Sequence, residues 1–260
     1  MDKLRYELET VIRTAGVVLR SAHANEQDIS NKAGIANFVT KYDVMIQEML
    51  EAGFREVLPE AEFLGEEGEK SQNSWEGYTF IIDPIDGTTN FIFDYHHSCI
   101  SVGLAWKKEM VMAFIYNPYR EEMYFAEKGK GAWLNDKPLK NITQALSEGI
   151  ATFGCARYNS ESTERIFAVA KELYLRSLCV RECGSAALDL AAIAAGRNCI
   201  YVEKRLQPWD YAAASLVIEE AGGKITQCDG TPITIDEPCS ILAGTSKSWE
   251  EGKEILDKIP

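Results

Sequence analysis

The hydrophobic pattern of this chain changes character near residue 145, and that change limits the folds open to it. Leu4, Leu8, Val11, Ile12, Ala15 and Leu19 recur at intervals of three and four, predicting a first helix of about 16–20 residues. Ile46, Met49, Leu50 and Phe54 share one face of a second helix predicted over 43–55. A β-type run over 78–82 ends at Asp83-Pro84. Strands at 98–106 and 111–116 flank the charged turn Lys107-Lys108-Glu109, and 122–126 with Gly129-Lys130-Gly131-Ala132-Trp133 continues the antiparallel pattern. Beyond a polar link over 141–148, strands and helices alternate. The strands are predicted at 150–154, 178–181, 199–202 and 241–244. The helices are predicted at 162–174, from Gly184-Ser185 to Gly196, at 210–221 and at 249–258. This order favours a layered α/β or α+β architecture over a bundle or a sandwich. The 260 residues are expected to form one domain over 1–260, with a soft subdivision near residue 145.

Lys and Arg total 27 against 40 Asp and Glu, a net charge of −13. That balance argues against nucleic acid or an anionic membrane as the main partner. It also sets a condition: an anionic substrate would need positive charge from outside the chain. The longest stretch free of charged residues, 95–106, falls short of the ~18–20 apolar residues of a membrane span. The first residues lead straight into an amphipathic helix with no signal-peptide pattern, so a cytoplasmic location is expected. None of the seven cysteines has CxxC spacing, which predicts neither a disulfide framework nor a zinc site. They are expected to be reduced and mostly buried.

The most informative segment is Asp83-Pro84-Ile85-Asp86-Gly87-Thr88-Thr89-Asn90-Phe91. Residues three apart on a regular strand face opposite ways, but a bend at Pro84 would let both carboxylates and the Ile85 carbonyl converge. Oxygen-only ligands suit a hard cation such as Mg²⁺. Gly87 allows close backbone approach, and Thr88, Thr89 and Asn90 read as a first helical turn whose N–H groups could hold a phosphate. Taken alone, the same residues could form an Asx turn with Asp86 as N-cap. Three further clusters carry acids: Gly65-Glu66-Glu67, Pro208-Trp209-Asp210 and Val39-Thr40-Lys41-Tyr42-Asp43. Each alone reads as a solvated turn or a helix cap, with Asp210 a good N-cap and Trp209 packing on Ala214.

Together these segments resemble the inositol monophosphatase family, within the lithium-sensitive, Mg²⁺-dependent sugar-phosphatase superfamily. The likeness covers nearly the whole chain and includes Lys32, Gly129-Lys130-Gly131-Ala132, Gly184-Ser185-Ala186 and the Ala-Gly-Gly ending at Gly223. It implies a layered α-β-α-β-α sandwich, a homodimer, and two to three Mg²⁺ ions per active site. Glu66, Asp83 and the Ile85 carbonyl would hold the first ion, and Asp83, Asp86 and Asp210 the second. A weaker third would lean on Glu66. Gly87 and Thr88 would meet the phosphate, and Thr88, paired with Asp43, would position the attacking water with Glu66. Asp86, Gly184, Ser185, Ala186 and Glu203 would contact the hydroxyls of a small phosphorylated polyol or sugar. The implied reaction is hydrolysis of inositol monophosphate by activated water, without a covalent nucleophile. Such ions would answer the charge condition and stabilise attacking and leaving oxygens.

Two departures from the family pattern stand out. Phe93 and His96 occupy places where a His and a Pro are common, which reads as a local packing difference. Lys204-Arg205 follows Glu203, and this basic pair is either a solvated loop or a site for a second phosphate. A fructose-1,6-bisphosphatase, a histidinol-phosphate phosphatase and a 3′-phosphoadenosine 5′-phosphate phosphatase are therefore alternatives. A catalytically silent scaffold is disfavoured, because every ligand position holds an oxygen donor. A nucleophilic pairing of Cys99 with His96 or His97 is conceivable but less favoured than turn and strand roles.

Overall fold

Leu8, Ile12, Ala15 and Leu19 form the buried stripe of the first helix, α1 (Asp2–Ser21), as their spacing requires. In the computed structural model, residues 2–31, 38–68, 73–140, 143–155 and 163–259 are described. Lys32, Asn141 and Ser162 lie outside the described residues. After α1 come β1 (Ile29–Asn31), β2 (Phe38–Thr40), α2 (Lys41–Val57), β3 (Glu62–Gly65), β4 (Tyr78–Asp86) and α3 (Thr88–Ile92). Then follow β5 (Cys99–Trp106), β6 (Glu109–Asn117), β7 (Glu122–Glu127), β8 (Gly131–Leu134) and β9 (Lys137–Leu139). The later part holds β10 (Ile150–Phe153), α4 (Thr163–Arg176), β11 (Cys179–Arg181), α5 (Ala186–Ala194) and β12 (Ile200–Leu206). It closes with α6 (Pro208–Glu220), β13 (Lys224–Thr226), β14 (Cys239–Gly244) and α7 (Ser246–Lys258).

Strands β3 to β9 lie side by side in chain order as a seven-stranded sheet, antiparallel except for the parallel β3–β4 pair. A five-stranded sheet has the order β11-β10-β12-β14-β13. Helices α1 and α2 cover one face of the larger sheet with Leu8, Ile12, Ile46, Leu50 and Phe54 against Phe80, Ile82 and Phe114. Helices α5 and α6 fill the space between the sheets, so α6 is apolar all round and Tyr211 to Ile218 are all buried. Helices α4 and α7 cover the far face of the smaller sheet with Ile166, Leu173, Trp249 and Leu256. The expected α-β-α-β-α layering is what the chain adopts.

Three local readings change. Strand β4 does not end at Pro84 but runs on to Asp86. The ladder pairs Asp83 with Ser101 and Asp86 with Cys99, so three steps on β4 match two on β5. This bulge resets the alternation of faces, and Pro84 sits inside it, where a missing N–H costs no ladder bond. Helix α6 begins at Pro208 rather than at Asp210. Strand β12 extends past Val202 to Leu206.

Candidate active site

The bulge in β4 brings together what regular pleating would separate. Carboxylate oxygens of Asp83, Asp86 and Asp210 lie within 4.8 Å of one another. Asp83 is 2% exposed and Asp86 7%. The Asp83 Oδ1 accepts the Ile85 N–H at 3.0 Å, so the Asx-type turn and the carboxylate cluster coexist. Asp210 reaches the cluster from α6. Its Oδ2 accepts the Gln207 N–H at 2.7 Å, which makes it the third residue of the helix rather than its N-cap. The Ser101 hydroxyl, opposite Asp83 in the ladder, donates to the Trp209 carbonyl at 3.2 Å and ties α6 to this point.

Asp86 is held from the other half of the chain. The Ser185 hydroxyl and the N–H groups of Ala186 (3.2 Å) and Ala187 (3.0 Å), at the start of α5, all donate to it. An anion at a helix N-terminus satisfies free N–H groups and meets the positive end of the helix dipole. The Cys99 thiol also points to Asp86, at 3.6 Å.

Glu66 follows β3, and its N–H donates to the Ile82 carbonyl at 3.0 Å, one residue before Asp83. Its turn is clamped by Gln47, whose amide brackets the Glu67 backbone and whose Oε1 accepts the Glu67 N–H at 2.9 Å. A Cβ on Gly65 would lie 2.2 Å from that amide, which explains the glycine. Sequence reasoning missed Gln47, which reads as an ordinary helix position.

Gly87 has φ +88°, and a Cβ there would meet the His97 and Gly184 carbonyls at 3.0 and 3.1 Å. It caps α3, whose Thr88 hydroxyl lies 3.2 Å from Asp43 Oδ1 and 3.1 Å from the Ile85 carbonyl. Asp43 is the third residue of α2 and accepts from the Thr40 N–H (2.7 Å) and hydroxyl (2.6 Å). The expected pairing of Thr88 with Asp43 is present. Asn90, named in the motif without a role, donates from Nδ2 to the carbonyls of both His97 and Cys183 at 2.8 Å.

Burial is the main cause that pushes these acids up. Asp83 and Asp210 stand well above the usual carboxylate range, through burial and then the charges of Glu66 and their neighbours. Burial lifts Asp86 to about 6 against the hydrogen bonds from Ser185, Ala187 and Cys99. Burial lifts Asp43 to about 6 against its bonds from Thr40. Oxygen donors crowded in this way call for a hard cation, and the set fits Mg²⁺.

Glu203 on β12 is buried, bonded by the Tyr201 hydroxyl, and lifted to about 7 chiefly by burial. Its neighbour Lys204 lines a separate cavity with Arg165, Val169 and Cys228, and Arg205 is exposed. Phe93 is exposed, and His96 stacks on Tyr119 at 4.7 Å and lies 2.9 Å from Asp94. Cys99 is fully buried, and burial, then the charges of Asp86 and Asp83, hold its thiol well above its ordinary range, which disfavours a nucleophilic role.

A layered α/β fold that gathers acids from both halves of the chain beside a glycine turn defines a hydrolase of the metal-dependent phosphatase class. More narrowly, the chain belongs to the inositol monophosphatase family, whose model matches residues 1–259. It is 35% identical over 234 residues to the inositol-1-monophosphatase of Bacillus subtilis, covering 90% of this chain and 88% of that one. It is 34% identical over 262 residues to inositol monophosphatase 1 of Bos taurus, covering 95% and 91%. Its fold superimposes on the inositol monophosphate-bound inositol monophosphatase II of Staphylococcus aureus with a TM-score of 0.83. That match has 27% identity and covers 98% of this chain and 94% of that one.

Proposed function

We propose that this protein hydrolyses inositol monophosphate to inositol and inorganic phosphate, with two to three Mg²⁺ ions per active site. The observation that carries the reading is the convergence of buried Asp83 and Asp86 with half-buried Asp210 in an oxygen-only cluster. The names of the relatives and the bound ligand of the Staphylococcus aureus structure support the substrate.

In this reading Glu66, Asp83 and the Ile85 carbonyl hold one ion, and Asp83, Asp86 and Asp210 a second, with a third leaning on Glu66. When bound, the ions neutralise the phosphate and make water acidic enough to attack it. Asp43 accepts from the Thr88 hydroxyl and fixes its rotamer, so that Thr88 and Glu66 orient the water that attacks. The N–H groups of Gly87 and Thr88 face the phosphate. Ser185 and Ala186 are committed to Asp86, so they serve the substrate by holding that carboxylate, while Gly184 and Glu203 face its hydroxyls. Burial of the acids keeps bulk water from competing for their oxygens.

The remaining parts of the reading rest on the family likeness. Li⁺ would occupy the site of Asp86 and Asp210 and inhibit uncompetitively. Two copies would form a homodimer. The chain would act as one domain, with α5 and α6 as a layer shared by both sheets. No described helix is long and apolar enough to cross a membrane, which accords with a cytoplasmic enzyme. Lys204 lines a cavity to which Asp83, Asp86 and Asp210 do not contribute, which weighs against a second phosphate site at that residue.

A substrate panel tests the assignment. Mg²⁺-dependent phosphate release should be fastest from inositol-1-phosphate. Comparison is with fructose-1,6-bisphosphate, histidinol phosphate, 3′-phosphoadenosine 5′-phosphate and glycerol-2-phosphate. Faster release from any other member would reassign the substrate, and no Mg²⁺-dependent release at all would favour a silent scaffold.

A further inference from the structure

A second group of ligand-type side chains lies beside the carboxylate centre and takes no part in the proposed hydrolysis. A ring nitrogen of His97, the Cys183 thiol and an Asp189 carboxylate oxygen lie within 4.8 Å of one another. They come from three separate segments: the α3–β5 loop, the β11–α5 loop and the first turn of α5. The Nε2 of His97 is shut off from solvent and has no hydrogen-bond partner among the described residues. A buried polar atom of that kind calls for an explanation.

The trio is held in place by its surroundings. The Asn90 amide fixes the backbones of His97 and Cys183 to a common point, 2.8 Å from each carbonyl. Asn198 turns its Nδ2 to Asp189, 3.4 Å from Oδ1 and 3.3 Å from the backbone carbonyl. A neutral donor on a carboxylate orients it without cancelling its charge, as partners of metal-ligating carboxylates do.

We propose that His97, Cys183 and Asp189 form a binding site for one borderline-soft divalent cation of the Zn²⁺ type, distinct from the oxygen-only centre. The donors match that ion: imidazole nitrogen, thiolate sulfur and carboxylate oxygen are its usual protein ligands, with a fourth position left for water. Mg²⁺ prefers oxygen and does not compete well for sulfur. At the bond lengths Zn²⁺ requires, donors sit roughly 3–4 Å apart, a small closure of the present trio. Binding breaks the Cys183 S–H bond, forms a sulfur–metal bond and releases one proton to solvent, with no change of oxidation state. Burial holds the thiol up at about 12 and the imidazole below its ordinary range, so the protein alone keeps both neutral.

The site has a consequence for the neighbouring centre. Cys183 leads directly into Gly184, Ser185 and Ala186, and the last two hold Asp86. An ion on Cys183 and Asp189 would grip this loop at both ends and stiffen the support of Asp86.

Cobalt titration tests the proposal, because Co²⁺ takes zinc sites and reports sulfur ligation by a thiolate-to-cobalt absorption in the near ultraviolet. The full-length protein, saturated with Mg²⁺, is expected to show that band with a one-equivalent end point, and Zn²⁺ should abolish it. Cys183→Ser should lack the band, His97→Phe and Asp189→Asn should bind at least about tenfold more weakly, and Cys99→Ser should match the wild type. Circular dichroism shows which variants are folded, and any folded member of the first three decides the matter. Absence of the band in the wild type, its persistence in Cys183→Ser, or its loss in Cys99→Ser would overturn the proposal.

Discussion

The Ser185 hydroxyl donates to the Asp86 carboxylate, joining the start of α5 to the end of β4. Through this bond the later part of the chain sets the position of an acid contributed by the earlier part. Ser185 also accepts from the Leu188 N–H as the N-cap of α5, so one side chain serves helix and site together.

Ser185→Ala should therefore weaken Mg²⁺ more than it weakens the fold. Removing a residue that orients a ligand costs about 10–100-fold in metal affinity. The Mg²⁺ concentration for half-maximal phosphate release should rise by at least about tenfold, with the thermal midpoint moving only a few degrees. An unchanged Mg²⁺ requirement would show that Asp86 is positioned without Ser185.

The buried acids give the protein an unusual dependence of stability on pH. Asp43 and Asp86 stand at about 6, and Asp189 and Glu203 at about 7, each raised first by burial. Each folded value lies above the unfolded one, so the folded state binds more protons between about pH 4 and 7. Their stabilising contribution is complete below about pH 4 and is lost as pH rises through 6 and 7. Without divalent cation, the thermal midpoint should fall from pH 5 to pH 8, and Mg²⁺ should remove the part of the fall that comes from Asp86. A midpoint that rises over that range without cation would contradict the burial of these acids.

Glu203 and Arg205 separate two accounts of specificity. Hydrogen bonds to a charged group are worth ~1.5–3 kcal/mol each. Glu203→Gln should cost about tenfold or more in kcat/KM on inositol-1-phosphate and much less on glycerol-2-phosphate. Arg205→Ala should leave inositol-1-phosphate turnover largely unchanged. A loss confined to fructose-1,6-bisphosphate in the arginine variant would instead favour a second phosphate site, and equal losses on all substrates in both variants would make the loop purely structural.

The layering was legible in the sequence because α1, α2, α4 and α7 each carry a buried stripe and each long strand an apolar run. The nine-residue motif located Asp83 and Asp86, but Pro84 alone does not tell a strand end from a bulge. Only the β5 ladder, with Ser101 and Cys99 opposite, fixes that choice. Asp43 and Asp210 read as helix starts, yet both sit one turn in, capping backwards onto Thr40 and Gln207. Short strands such as β1, β9 and β13 carry too few residues for periodicity to register. Gln47 and Asn90 were silent because their work is done across the fold, on backbone groups 20 and 93 residues away in sequence. The same distance hides the proximity of His97, Cys183 and Asp189 from any rule based on spacing.

The most direct test of the shared carboxylate centre is phosphate release from inositol-1-phosphate by Asp83→Asn, with Mg²⁺ varied up to saturation. Asp83 faces Glu66, Asp86 and Asp210 at once, and the variant removes one charge from that crowd. The account predicts a folded protein, at least as stable as the wild type without cation, whose turnover falls by about a thousandfold or more at any Mg²⁺ concentration. Near-normal turnover by this variant at saturating Mg²⁺ would contradict it.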